Sequence, residues 1–418
     1  MERRAKVYYF RMPRYAVVAL VLVVLVPWAV VVLMLLGLRP LQAAQGPGAT
    51  AAVPAKADRH YCKPGPWGVL EYVNIVTRPP DEFISPNFFS EAPAPWVFKG
   101  YSKTALSELF ISAGLTAAQC NVLERSVEFS AAANQCVVRP AGDLVLDLSP
   151  TARARIYAVL GKFPENSAQR DPFIFKADEI NEWLESGGLA PATVALVKRL
   201  LYPHADFVLL SDCHTLVSQL PDAEERVRLF RILLRRRGVY AFLRVSKDSD
   251  VKALTSYWGK GGRAIAIGPL LESLPRSTDG IGVNVVLLLP LFARERLYTY
   301  PRPNPAPPGA PHDCHWCALN FFNEAPDDRL GQPEVVRTTI ENDYFPVPGQ
   351  PSMGDLVLFY APDRSIVHSA VYIADDILFT KAGPSFTSPW LLMTQDEVLA
   401  AFPAYEKLDL AYFRLKKL

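Results

Sequence analysis

GDLVLFYAPDRSIVHSAVYIADDILFTK, residues 354–381, is the stretch on which the fold reading turns. Its branched and aromatic residues come in short runs, which predict strands over 355–360, 369–373 and 377–381. A similar run predicts a strand over 408–415, and the segment 394–402 between them reads as a helix. Upstream, residues 313–323 begin with an aspartate and continue apolar, the pattern of a capped helix. Helix and short strands in this order describe an α+β unit with an antiparallel sheet.

Working outward, PRPNPAPPGAP at 301–311 carries six prolines in 11 residues, which predicts a stiff loop. Before it GVNVVLLLPLF, 282–292, is apolar enough to be buried. The next region toward the amino end reads as helical. Thr104 to Ala113, Thr116 to Val127, and Ser149 to Phe163 each start with a Ser or Thr able to cap free amides, followed by apolar residues near 3.6 spacing. Lys176 to Ser186, Ala190 to Leu201, and Asp222 to Arg237 repeat the spacing. In the last of these Asp222 and Glu225 read as a capping box and Gly238 as a stop, with arginines late in the helix where the dipole favours them. The segment 67–96, rich in proline and aromatics, reads as an extended, packed lead-in. Residues 67–280 are therefore expected to form a mainly helical domain, and residues 281–418 a second one.

At the amino end, YAVVALVLVVLVPWAVVVLMLLGL at 15–38 has no charged side chain and is long enough to cross a bilayer. The basic residues Arg3, Arg4, Lys6, Arg11 and Arg14 precede it, which predicts a single transmembrane helix with its amino end cytoplasmic and the body extracytoplasmic, in the cell membrane. Leu41-Gln42-Ala43 also permits a cleaved signal peptide, but the apolar run exceeds a signal core. The Ala/Gly/Pro-rich residues 39–66 read as a tether. The chain has a formal net charge of +2, and the basic flank 1–14 carries +4 once Glu2 is counted, so the remainder carries −2. A body without net positive charge lacks the footprint of a nucleic-acid binder. Six cysteines in 418 residues are too few for a disulfide scaffold, although Cys120 and Cys136 could pair.

The residues with most chemical content are His312-Asp313-Cys314-His315-Trp316-Cys317 at a helix start, with His368 at a strand start further on. Asp313 as N-cap puts Cys314 in the first turn, where free amides and the helix dipole favour thiolate. His368 is the imidazole that could exchange its proton. The same residues admit plain packing, a Cys314-x-x-Cys317 redox pair, or zinc held with His312 and His315. The redox spacing usually follows a strand in a parallel α/β context, and four zinc ligands within six residues would strain a helix. Cys317 reads as a packed residue or a second candidate nucleophile. Elsewhere, Arg226, Arg228, Arg231 and Arg235 to Arg237 read as a solvated helix face, Ser211-Asp212-Cys213-His214 as packing or capping, and GKGGR at 259–263 as a turn.

Asp313-Cys314 opening an apolar helix, Gly354-Asp355-Leu356-Val357-Leu358-Phe359, and His368-Ser369-Ala370-Val371-Tyr372-Ile373 resemble, in order and spacing, the NlpC-type papain-like cysteine peptidases. The resemblance covers about residues 296–416. It implies a papain-like domain with Cys314 as nucleophile, His368 as base, and Thr380, 12 positions on, in the place of the third polar residue. Tyr298-Thr299-Tyr300 matches the family's Tyr-x-Tyr, which implies that Tyr298 helps hold the oxyanion. His315-Trp316 replaces the family's Ser-Gly, and Pro301-Arg302 its Gly-Gly. The implied function is a cysteine-type amidohydrolase or endopeptidase without metal or organic cofactor, acting on a peptide substrate such as a peptidoglycan stem peptide. A non-catalytic module binding peptide or glycan, or an acyltransferase, would use the same scaffold.

Overall fold

The computed structural model describes residues 58–90, 94–274, 277–303, 311–403, 405 and 407–418. The stretch 15–38, most of the tether and most of the proline loop lie outside the described residues. Among those described, no helix is long and apolar enough to cross a membrane, so the expectation of a transmembrane helix is not met by any element of the structure.

Strands β1 (Arg59–Tyr61) and β2 (Val69–Thr77) come first. The segment that follows holds β3 (Trp96–Lys99), β4 (Val127–Ser130), β5 (Gln135–Val138), β6 (Phe173–Lys176), β7 (Tyr202–His204) and β8 (Phe207–Leu210). These form two three-stranded antiparallel sheets, ordered β3-β5-β4 and β6-β8-β7, among short helices. Next, β9 (Arg236–Val245) returns to pair with β2 along its whole length, from Val69 against Arg244 to Thr77 against Arg236. β10 (Ile281–Asn284) completes a sheet ordered β1-β2-β9-β10. The carboxyl-terminal strands are β11 (Tyr344–Pro346), β12 (Leu356–Tyr360), β13 (Ile366–Ala374), β14 (Ile377–Lys381), β15 (Trp390–Thr394) and β16 (Asp409–Leu415), in the antiparallel order β11-β16-β12-β13-β14-β15.

The chain is thus α+β with antiparallel sheets, and the mainly helical middle domain is corrected. Two apolar cores explain the correction. One unites the β2-β9 sheet with the β11–β16 sheet, joining Leu70, Leu243 and Trp258 to Phe359, Leu378 and Leu392. The other lies between residues 84 and 234, around Trp96, Phe110, Tyr157 and Phe230. Residues 84–234 are therefore an insertion between two adjacent strands of a sheet that belongs to the carboxyl-terminal core.

Within the insertion, the expected caps Thr116 and Ser149 are present, whereas the first helix is capped by Ser102 and not by the expected Thr104, which lies inside it. Ser102, Thr116 and Ser149 cap the helices Lys103–Ala113, Ala117–Arg125 and Pro150–Leu160 through their side chains, and Thr116 with Gln119 forms a capping box. The helix expected over 222–237 stops early, covering Ala223–Leu233. Asp222 caps it through the Glu224 amide, while Glu225 accepts from the Ala190 amide and pairs with Arg228. From Arg236 the chain extends, because Val239, Ala241, Leu243 and Val245 alternate into the core with period two. Gly238 is therefore not a helix stop. It lies mid-strand where a Cβ would come 2.9 Å from the Leu392 carbonyl oxygen, so its missing side chain lets β9 approach β15.

Asp212, at the motif 211–214, does not cap its helix through its side chain. Its carboxylate accepts from Tyr157 at 2.7 Å and faces Arg153 at 3.3 Å, all three fully buried, and burial pushes its pKa up to about 6. All six cysteines are free thiols, Cys120 and Cys136 included.

Candidate active site

Asp313 opens the helix Cys314–Leu319 by accepting from the amides of His315 at 2.9 Å and Trp316 at 3.0 Å. Cys314 is thereby held in the first turn, on the wall of a cleft of about 1610 Å³ that His368 and Thr380 also line. On β13 and β14 these two meet directly, with His368 Nε2 2.7 Å from Thr380 Oγ1. The His368 ring packs between Phe359 and Phe402.

The helix start meets β13 through a different pair. His315 Nδ1 lies 2.7 Å from the hydroxyl of Ser369, the residue after His368. Successive strand residues point to opposite faces, so Ser369 and His368 are turned to different sides. Among the described residues no hydrogen bond joins the Cys314 sulfur to the His368 ring.

Burial dominates the electrostatics. It pushes the Cys314 thiol up to about 12, and the neighbouring Asp313 carboxylate adds to the rise. The backbone amides of Ser369, His315 and Cys314 itself act in the opposite sense and are outweighed. At this helix start, desolvation and the capping charge together defeat the thiolate that the free amides would favour. Burial also holds His368 down to about 3, with His315 contributing in the same direction, so the imidazole is neutral at ordinary pH. Cys317 is almost fully buried and its pKa is raised by burial, which fits a packed thiol.

Tyr298 does not line the cleft. Its hydroxyl donates to the Val239 carbonyl at 2.6 Å and its amide to the Trp390 carbonyl at 2.7 Å, so both donors tie β9 and β15 to the segment between them. Its φ of 63° places a non-glycine residue in the left-handed region, a strain these bonds hold in place. The oxyanion role implied by the resemblance is therefore reassigned to structure.

Asp313, Cys314 and His315 bring one ligand atom each within 4.8 Å of one another. Yet Asp313 Oδ1 already accepts two amides, and His315 Nδ1 is engaged by Ser369. His312 stacks on Trp316 at 3.9 Å and meets Asp328 at 2.7 Å.

Several groups at the site were not read as part of it in the sequence. Lys381 is fully buried, its ammonium donating to the carbonyls of Gly383 and Ser385, and burial brings its pKa down to about 8. Trp390, on the cleft wall, has a buried Nε1 without a hydrogen-bond partner among the described residues. Arg235, Arg236 and Arg237 also line the cleft rather than a helix face open to solvent. Their adjacency was the available signal, but reading it required knowing that a strand starts there. No family model, no curated protein and no solved structure matches the chain.

Proposed function

We propose that the chain is a cysteine-type amidohydrolase that cleaves a peptide amide in this cleft. Cys314 Sγ attacks the carbonyl carbon while its proton passes to His368, which then protonates the departing amine. Water hydrolyses the thioester and restores the thiol. Thr380 fixes the ring orientation of His368. The observation that carries this reading is the 2.7 Å contact of His368 with Thr380 on a cleft wall that Cys314 shares. A thiol and an imidazole that are both neutral in the free protein suit a reaction in which proton transfer accompanies attack. Substrate binding must then bring the sulfur and the ring together, since catalytic hydrogen bonds often tighten only in the substrate complex.

The missing Cys314–His368 hydrogen bond favours a second reading, a module of the same build that binds peptide without cleaving it. Hydrolysis of peptidoglycan stem peptides and model peptide amides by purified protein separates the two. For the enzyme, Cys314→Ala abolishes turnover and His368→Ala lowers it by about 10²–10⁴. Thr380→Val, removing one neutral hydrogen bond, lowers it about 2–15-fold. Equal inertness of the wild type and both alanine variants on every peptide leaves the binding module.

A further inference from the structure

The cleft has a second chemical character, away from Cys314. Where β9 begins, Arg235, Arg236 and Arg237 follow one another along its wall. The Arg236 guanidinium lies over the Phe173 ring at 5.6 Å, and those of Arg235 and Arg237 lie over Trp183 at 5.9 and 4.8 Å. Arg237 is paired with Glu179. Arg235 and Arg236 have no carboxylate partner among the described residues. Arg235 Nη1 donates to Ser186 Oγ at 2.8 Å and to the Trp183 carbonyl, and Arg236 Nη1 to the carbonyls of Leu233 and Arg235. Burial lowers the pKa of all three, and Arg78 adds a like charge beside Arg235. Two guanidiniums half-withdrawn from water on an aromatic wall, satisfied only by neutral acceptors, are incompletely compensated, and an anion is what completes them.

We propose that this arginine wall is a subsite for an anionic group, carboxylate or phosphate, on a peptide lying in the cleft. The structure also sets the spacing. Gly238 is in contact with Leu391 and Leu392 of β15. Leu391 pairs with Thr380, which meets His368. Strands β13, β14 and β15 are ladder neighbours, so β15 lies two strand spacings, roughly 10 Å, from the His368 strand, and the arginines lie beyond it across the contact with β9. The anion therefore sits several residues from the amide at Cys314. The proposal shares its cleft with the amidohydrolase reading but concerns binding, and is tested without turnover.

The test uses the full chain carrying Cys314→Ala and blocked alanine pentapeptides with glutamate, phosphoserine or glutamine at either end, titrated by calorimetry. A glutamate or phosphoserine peptide should bind at least about tenfold tighter than its glutamine counterpart, and added salt should erode that difference. Preference between the two acids distinguishes carboxylate from phosphate recognition. Arg235→Gln with Arg236→Gln should abolish the discrimination, while Arg235→Lys with Arg236→Lys, which keeps the charge and guards against a misfolded variant, should retain part of it. Equal binding of acidic and glutamine peptides, a discrimination that survives the double glutamine variant, or no binding of any of them overturns the proposal. Loss of hydrolysis by wild type with the discrimination intact would sink the enzyme reading and leave this one standing.

Discussion

Asp313 acts on Cys314 in two opposed ways. Its carboxylate accepts the amides of His315 and Trp316 and so builds the turn that holds the thiol, yet its charge raises the thiol's pKa. Asn caps helices about as well as Asp but is neutral. Asp313→Asn should therefore leave the helix in place and speed alkylation of Cys314 about two- to tenfold near pH 8, followed peptide by peptide with mass spectrometry. With a pKa pushed up to about 12, the wild-type rate should climb about tenfold per pH unit from 7 to 10; a plateau below pH 8 would contradict the dominance of burial. His368 makes a stability statement. Its folded pKa of about 3 lies below the ordinary ~6.5, so in acid the unfolded chain takes up a proton that the folded one refuses. Its neutral, buried state is tolerated in full above about pH 6.5, and stability falls as the pH drops toward 3, by ~1.4 kcal/mol per unit at most. His368→Asn should reduce the acid limb of a urea-denaturation series, leaving the slope from His315 and His214, whose pKa values burial lowers in the same direction. The spacing from His368 to Thr380 was legible because adjacent strands bring the two together. The contact of His315 with Ser369 was not, because which face of a strand meets a helix depends on tertiary packing.

At the scale of elements, the caps Thr116 and Ser149 were legible to the residue, the cap of Lys103–Ala113 proved to be Ser102 and not the expected Thr104, and the arginines misled. Ser102, Thr116 and Ser149 cap their helices because a hydroxyl held close to the backbone satisfies amides of its own first turn, an interaction written into local sequence. The segment 222–245 shows the limit of such reading. Helical spacing in Ala223–Leu233 runs into an arginine triplet that helix geometry would accept, and only the alternation of Val239, Ala241, Leu243 and Val245 marks the change to strand. Partner strand β2 lies on the far side of the whole insertion in sequence, so the pairing itself leaves no local trace. Gly238 tests the corrected assignment. A methyl there would stand 2.9 Å from the Leu392 carbonyl, on backbone that cannot swing aside. Gly238→Ala should cost about 1–3 kcal/mol in thermal melts by prying β9 from β15. Were Gly238 a left-handed helix stop, Gly238→Asn would be tolerated better than Gly238→Ala, whereas beside the Leu392 carbonyl the larger Asn should cost at least as much as alanine.

At the scale of the whole molecule, the antiparallel α+β character of residues 281–418 was legible in the sequence, but the boundary at 281 was placed by composition alone. The cores lie differently, with residues 84–234 around one and the flanking β2-β9 sheet sharing the other with β11–β16. Because Thr77 and Arg236 are paired neighbours, residues 79–234 can be replaced by a turn of about two to five residues. That shortened chain should melt cooperatively, while residues 84–234 alone should fold around their own core; circular dichroism melts of both would check this, and an unfolded shortened chain would refute the two-core division. The pairing of Thr77 with Arg236 has a mechanical consequence as well. The insertion is tethered covalently to the rest by two strand ends lying side by side, and the cleft has Phe173 and Trp183 on the insertion's side and Cys314, His368 and Trp390 on the other. Any rotation of one core against the other must pivot at that neck, next to Arg235 and Arg236, so the cleft would open like a jaw whose joint lies beside the charges that grip its contents.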